Sequence, residues 1–171
     1  VMHWSFDAWR VRPIDAVSYT FTETEPRTAV PSDVGSDLTV ATFNVLNFFT
    51  TLNEPGNECA SGFLCRGAHS PAELTRQRDK IVAALAAMDA DVVSLIEIEN
   101  ADGAMQNLVD GLNAAMGDGT YAQVDTGPIG TDAIKVGFIY QPASISLAGD
   151  FAVLDSSVDP TFIDTRNRPV L

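Results

Sequence analysis

A chain of 171 residues that is 46% hydrophobic and 19% charged can bury the core of one domain, which excludes a disordered polar segment. With 10 Lys and Arg against 23 Asp and Glu, its net charge of −13 repels nucleic acid at long range, so any phosphate-binding role needs a local arginine cluster or a metal ion. Most of that excess acid is expected to serve solubility. No apolar run approaches the roughly 18 residues of a membrane span, and no secretory leader is visible within the chain.

Residues 1–14 hold both tryptophans, Trp4 and Trp9, with Arg10 and Arg12, and alternate loosely as a strand does. Val17 to Thr22 alternates more clearly. Pro26 to Ser36 is rich in Pro, Ser and Gly and reads as a linker. Residues 1–36 are therefore expected to be the tail of an upstream module, an edge hairpin or both, plus a linker, and residues 37–171 the main domain.

Leu38 to Val45 is β-branched and aromatic, and reads as a strand. Alternation puts Leu38, Val40, Thr42 and Asn44 on one face. Thr50 to His69 reads as a long loop, and it carries the only two cysteines, Cys59 and Cys65. Their close spacing suits a disulfide, and with it an oxidising compartment. Free thiols remain open, as does a metal site, for which only His69 is a nearby additional ligand.

Ser70-Pro71-Ala72-Glu73 has the form of a capping box and opens a helix, whose apolar stripe is Leu74, Ile81, Val82, Leu85 and Met88. Asp91 to Asn100 follows as a strand, apolar in its first half and acidic in its second, where Glu97 and Glu99 stand. Burying Glu97 without compensation would cost on the order of several kcal/mol, and a cation at the strand end would remove that cost. The alternative is that the strand simply ends and Glu97 points into water. Strand, helix and strand in this order predict a parallel pair joined by a right-handed crossover. Asn44 and Glu97 would then meet at one sheet edge, where open α/β sheets place their sites.

A second helix is expected over Ala104 to Met116, with Met105, Leu108, Val109, Leu112 and Met116 inward and Gly117 as its C-terminal cap. Thr120 to Val124 reads as a short strand, and Ile134 to Tyr140 as a strongly apolar one. Ile145 to Leu147 and Phe151 to Leu154 read as short strands around a turn at Gly149-Asp150. Arg166, Asn167 and Arg168 are dense in hydrogen-bond donors, and Val170-Leu171 resembles the start of a further strand.

Five stretches taken in order carry a family resemblance. They are Ala41-Thr-Phe-Asn-Val-Leu-Asn-Phe-Phe49, Arg76-Gln-Arg-Asp-Lys-Ile-Val82, Ser94-Leu-Ile-Glu-Ile-Glu-Asn100, Gly130-Thr-Asp-Ala-Ile-Lys-Val-Gly-Phe-Ile-Tyr140 and Asp164-Thr-Arg-Asn-Arg-Pro169. Together they resemble the N-terminal half of an endonuclease/exonuclease/phosphatase domain, closest to bacterial secreted extracellular nucleases. The resemblance implies a deoxyribonuclease-like α/β (α+β) fold, a two-sheet sandwich with outer helices, of which residues 37–171 would be the first half. It implies an extracellular enzyme that hydrolyses phosphodiesters of DNA, and by extension RNA, with Mg2+ or Mn2+. No protein partner and no membrane span are expected.

Carried over by position, Glu97 matches the family's metal-binding glutamate. Asn44 matches the asparagine beside the metal and the catalytic aspartates. Asp132 falls where relatives place a residue that touches substrate or orients a histidine, and Arg168 resembles an arginine that contacts phosphate. Glu99 has no counterpart, and Gln141 stands where relatives often have Arg. From the residues alone, Asn44 as a turn amide, Asp132 as an acid at a strand start and Arg168 as an ion-pair partner stay open. The family's second half would supply a catalytic His, an Asp–Asn pair and a final Asp–His pair. Here the only histidines are His3 and His69, in neither such context, so the chain by itself is expected to be inactive. Two other readings stand beside this one: a phospholipid or sugar-phosphate phosphodiesterase of the same superfamily, and a non-catalytic fragment or binding piece.

Overall fold

The first helix begins where the capping pattern places it. Ser70 Oγ accepts from Glu73 N at 3.3 Å, Pro71 occupies the first turn, and Glu73 Oε2 accepts from His69 N at 2.8 Å. This helix, α1, spans Pro71–Met88 and ends at Asp89, whose φ is +45°. It buries Ile81, Val82 and Leu85, while Leu74 and Met88 pack at the margin. The second helix, α2, spans Ala104–Met116 and buries Met105, Leu108, Val109 and Leu112. Gly111 lets the helices approach closely, since a Cβ there would come within 2.8 Å of Val82 Cγ2.

The computed structural model describes residues 1–14, 16–59, 62–101, 103–163 and 171. They form a mixed α/β chain. Its strands, in chain order, are β1 (Met2–Ser5), β2 (Ala8–Val11), β3 (Val40–Phe48), β4 (Glu58–Cys59), β5 (Phe63–Leu64), β6 (Val92–Glu99), β7 (Ala122–Gln123) and β8 (Ile134–Tyr140). A four-stranded sheet has the order β3-β6-β8-β7, with β3 and β6 parallel and the other pairs antiparallel. The predicted parallel pair is therefore present, with α1 as its connection.

Both helices pack on one face of this sheet. Val45, Leu85, Val93, Leu95, Leu108, Leu112 and Ile139 fill the space between. The other face carries the register partners Val40, Val92 and Tyr140, then Thr42, Ser94 and Phe138, then Asn44, Ile96 and Val136. All of these are exposed or half-buried. The sheet is thus covered by helices on one side, and its other side mixes apolar residues with Thr42, Ser94 and Asn44.

Two short hairpins complete the described secondary structure of the strands. In β1–β2, Trp4 and Trp9 are directly opposed and meet edge-on at 5.4 Å, and Arg10 lies 5.3 Å over the Phe6 ring. In β4–β5, within the loop after β3, Cys59 and Cys65 are joined by a disulfide with Cα atoms 5.1 Å apart. Phe49, both cysteines, Ala133 and Ile134 make a small second core beneath it.

Some expected strands are not found among the described residues. Val17 to Thr22 is exposed and irregular, because no neighbouring strand shares its backbone hydrogen bonds. Ile145 to Leu147 and Phe151 to Val153 likewise lack a ladder, and Leu154 forms only an isolated bridge. The loop 50–69, read as irregular, contains the β4–β5 hairpin. Val170 lies outside the described residues. Among the described residues, no helix is long and apolar enough to cross a membrane.

Asp91 fastens the end of the sheet opposite the strand termini discussed below. Its carboxylate accepts from Thr39 N at 2.8 Å, from Thr39 Oγ1 at 3.1 Å and from Ser144 Oγ. The Ser144 hydroxyl first, and then the Thr39 amide, hold its pKa below the ordinary 3.8. A lowered folded-state pKa stabilises the fold above the ordinary value, and that contribution is lost as pH falls through the lowered one. Asp91→Asn should therefore melt at a lower temperature than the parent near neutral pH. It should also lose less on acidification below about pH 4, and parallel acid limbs in a melting series would contradict this.

Candidate functional site

The C-terminal edge of the parallel pair is where the sheet departs from regularity. Asn44 pairs with Ile96, and the next pair is Phe48 with Ile98. Val45, Leu46 and Asn47 of β3 thus lie opposite Glu97 alone. On the other side of β6, Ile96 pairs with Val136 and Ile98 with Lys135, so Glu97 is an extra residue against β8. Glu97 is a β-bulge with respect to β8, whereas against β3 the surplus residues are those of β3. The φ of Glu97 is +66°, in the left-handed region, and Leu46 and Asn47 are also left-handed at +54° and +51°. No glycine supplies these conformations, and such residues each store on the order of 1–3 kcal/mol that the surroundings must hold in place.

The bulge separates the two glutamates. In a straight strand Glu97 and Glu99 would share a face. The extra residue shifts the pleat, so Ile98 joins Val93 and Leu95 in the main core and Glu99 turns to the opposite face. Glu97 is left half-buried at the edge. Among the described residues its carboxylate has no hydrogen-bond or ion-pair partner.

Glu99 is only 1% exposed. It accepts from Thr50 N at 2.8 Å, Thr50 Oγ1 at 2.9 Å and Thr51 N at 3.2 Å. Cys59 Sγ lies 3.5 Å from its other oxygen, and since that sulfur is in the disulfide it carries no proton, so the contact is packing. Glu99 clamps the loop after β3 onto the end of β6. Asn100, equally buried, bonds Ile129 N and O and Asp132 O, and so fixes the approach to β8.

The other sequence candidates fall in different settings. Asn44 is exposed, and its Oδ1 accepts from Leu46 N at 2.8 Å, a side-chain turn that starts the left-handed pair. The turn-amide role is therefore real, and it leaves the Asn44 amide N–H groups and one oxygen lone pair available. Asp132 sits just before β8 in an ion pair with Arg66 at 3.3 Å, rather than against a histidine. His69 Nδ1 meets Asn53 O at 3.0 Å, within its own loop. Gln141 Nε2 donates to Asp89 Oδ1 and Tyr121 Oη, a structural tie between strand and helix ends. Arg168 lies outside the described residues.

Among the described residues, no group of three or more His, Cys, Asp or Glu side chains could hold a metal. A smaller requirement is met. Mg2+ keeps several waters and is commonly held by one or two carboxylates together with substrate phosphates. Glu97 and Asn44 present hard oxygens at one edge, which fits part of such a shell.

No family model, curated protein or solved structure significantly matches the chain.

Proposed function

We propose that this chain carries the metal-binding edge of a phosphodiester hydrolase that acts on nucleic acid. The observation that carries the reading is Glu97: a half-buried residue whose carboxylate has no described partner, held out by a left-handed bulge beside Asn44. A carboxylate placed this way against the cost of burial and strain is explained by a cation. Glu97 and Asn44 would contribute oxygens to Mg2+ or Mn2+. When bound, the ion supplies charge neutralisation at a phosphate. In a chain of net charge −13, that neutralisation is what permits a polyanionic substrate to approach. Arg168 is assigned to phosphate, where a guanidinium can bond two oxygens at once.

The four-stranded sheet is one layer of a deoxyribonuclease-like sandwich, and a second sheet would cover Val40, Ile96, Val136 and Phe138 on its open face. The Cys59–Cys65 bridge supports an oxidising, extracellular setting. Neither histidine belongs to this edge: His3 is on β1, and His69 is tied to the Asn53 carbonyl. Hydrolysis by the isolated chain is therefore not expected, while metal binding is.

The test is a Mn2+ titration followed by electron paramagnetic resonance, with plasmid nicking measured in parallel. Saturable binding that disappears in Glu97→Ala is the expected result, without nicking above background. Equal binding by the parent and Glu97→Ala, or none by either, would sink the metal assignment.

A further inference from the structure

Gln77, in the middle of α1, has no part in the site as described so far. Its Nε2 donates to Leu46 O at 3.0 Å and lies 3.4 Å from Val45 O and 3.5 Å from Asn47 O. One side-chain amide is thus centred under three consecutive carbonyls. These carbonyls belong to the turn that contains the left-handed Leu46 and Asn47.

Something must hold that turn. Left-handed backbone costs a non-glycine residue about 1–2 kcal/mol, and a leucine gains nothing there from local side-chain hydrogen bonding. Burial does not compensate, because Leu46 is 75% exposed. The ladder does not compensate either, since no pairing is made between Asn44 and Phe48. Two polar contacts remain among the described residues: Asn44 Oδ1 on Leu46 N, and Gln77 Nε2 on the carbonyls. The first is local and moves with the turn. The second comes from a helix fixed to the sheet through Ile81, Val82 and Leu85. Val45 and Phe48 anchor the flanks of the turn in the core, and of the two polar contacts only the second ties its left-handed residues to the rigid frame.

We propose that Gln77 is a positioning residue of the site. Its amide holds the Leu46–Asn47 turn in its left-handed form and so keeps Asn44 at the edge beside Glu97. Gln77 itself touches neither metal nor substrate. The part of this inference that concerns metal affinity rests on the proposed function; the part that concerns the turn does not.

Gln77→Glu keeps the shape of the side chain and removes its donor, and Gln77→Ala removes both. Lys80→Ala, on the exposed side of α1, is the control. The readouts are amide hydrogen exchange at Leu46, with Leu95 in the core as reference, and Mn2+ affinity. In both Gln77 variants, Leu46 should exchange ~10-fold faster while Leu95 does not change. The Mn2+ dissociation constant should rise ~10-fold, the range found for residues that orient metal ligands. Lys80→Ala should alter neither. Unchanged exchange at Leu46 in Gln77→Glu overturns the proposal. So does faster exchange with undiminished Mn2+ affinity, where Glu97→Ala has lost the ion. If the parent binds no Mn2+ at all, the metal reading falls alone, and exchange at Leu46 still decides whether Gln77 holds the turn.

Discussion

Replacing Glu97 with glycine is expected to stabilise the metal-free protein by about 0.5 kcal/mol and to abolish Mn2+ binding at the same time. The opposite signs follow from the bulge. At φ +66°, the Glu97 Cβ crowds the backbone, and glycine removes that conflict. Glycine also gives the unfolded chain more freedom, which offsets about 0.5–1 kcal/mol of the relief and leaves a small net gain. No hydrogen bond or ion pair among the described residues is forfeited, since the carboxylate has no described partner. Glu97→Ala keeps the backbone conflict and loses the ligand, so it should bind no ion and match the parent in stability. Urea unfolding in the presence of a chelator measures the first quantity and a Mn2+ titration the second. A loss of more than about 1 kcal/mol in Glu97→Gly would mean that the carboxylate is a structural group, and the metal reading would fail with it.

Glu99 should behave in the reverse way. Glu99→Leu is expected to cost about 3 kcal/mol, because it leaves the amides of Thr50 and Thr51 and the Thr50 hydroxyl without their acceptor in a dry setting. Against a total stability of roughly 5–15 kcal/mol, that is a large share. Glu99→Gln keeps the size and one acceptor oxygen and should cost about half as much. Variants that fold should bind Mn2+ as the parent does. The measurement is urea unfolding followed by circular dichroism. A cost below about 1 kcal/mol for Glu99→Leu would show that the clamp on the loop after β3 is not what holds it. The two glutamates, two residues apart in one strand, are thus expected to separate cleanly into ligand and clamp.

That separation was not legible in the residues. Alternation treats positions 97 and 99 alike, and only the family resemblance favoured Glu97. What divides them is an extra residue in β6 relative to β8, a property of pairing between strands. Leu46, Asn47 and Glu97 offer no glycine to announce left-handed backbone. Gln77 stood inside a motif with no role attached, because a contact from the middle of a helix to a turn some 30 residues earlier leaves no periodic trace. The strands expected at 17–22 and 145–154 failed for a related reason. Alternation describes a face, and a strand also needs an edge to pair with.

The elements that the sequence by itself determined are those with local causes. The capping box and apolar spacing set α1, the stripe of Met105, Leu108, Val109 and Leu112 set α2, and the apolar runs at 92–96 and 134–140 set two central strands. Strand, helix and strand in succession also brought Asn44 and Glu97 to one edge, since a crossover of that length leaves a parallel pair. The tertiary structure alone decided the bulge, the turn it opposes, and the burial of Glu99. Each depends on how many residues of one strand face how many of the next, and that count is fixed by packing across the sheet rather than by any one segment.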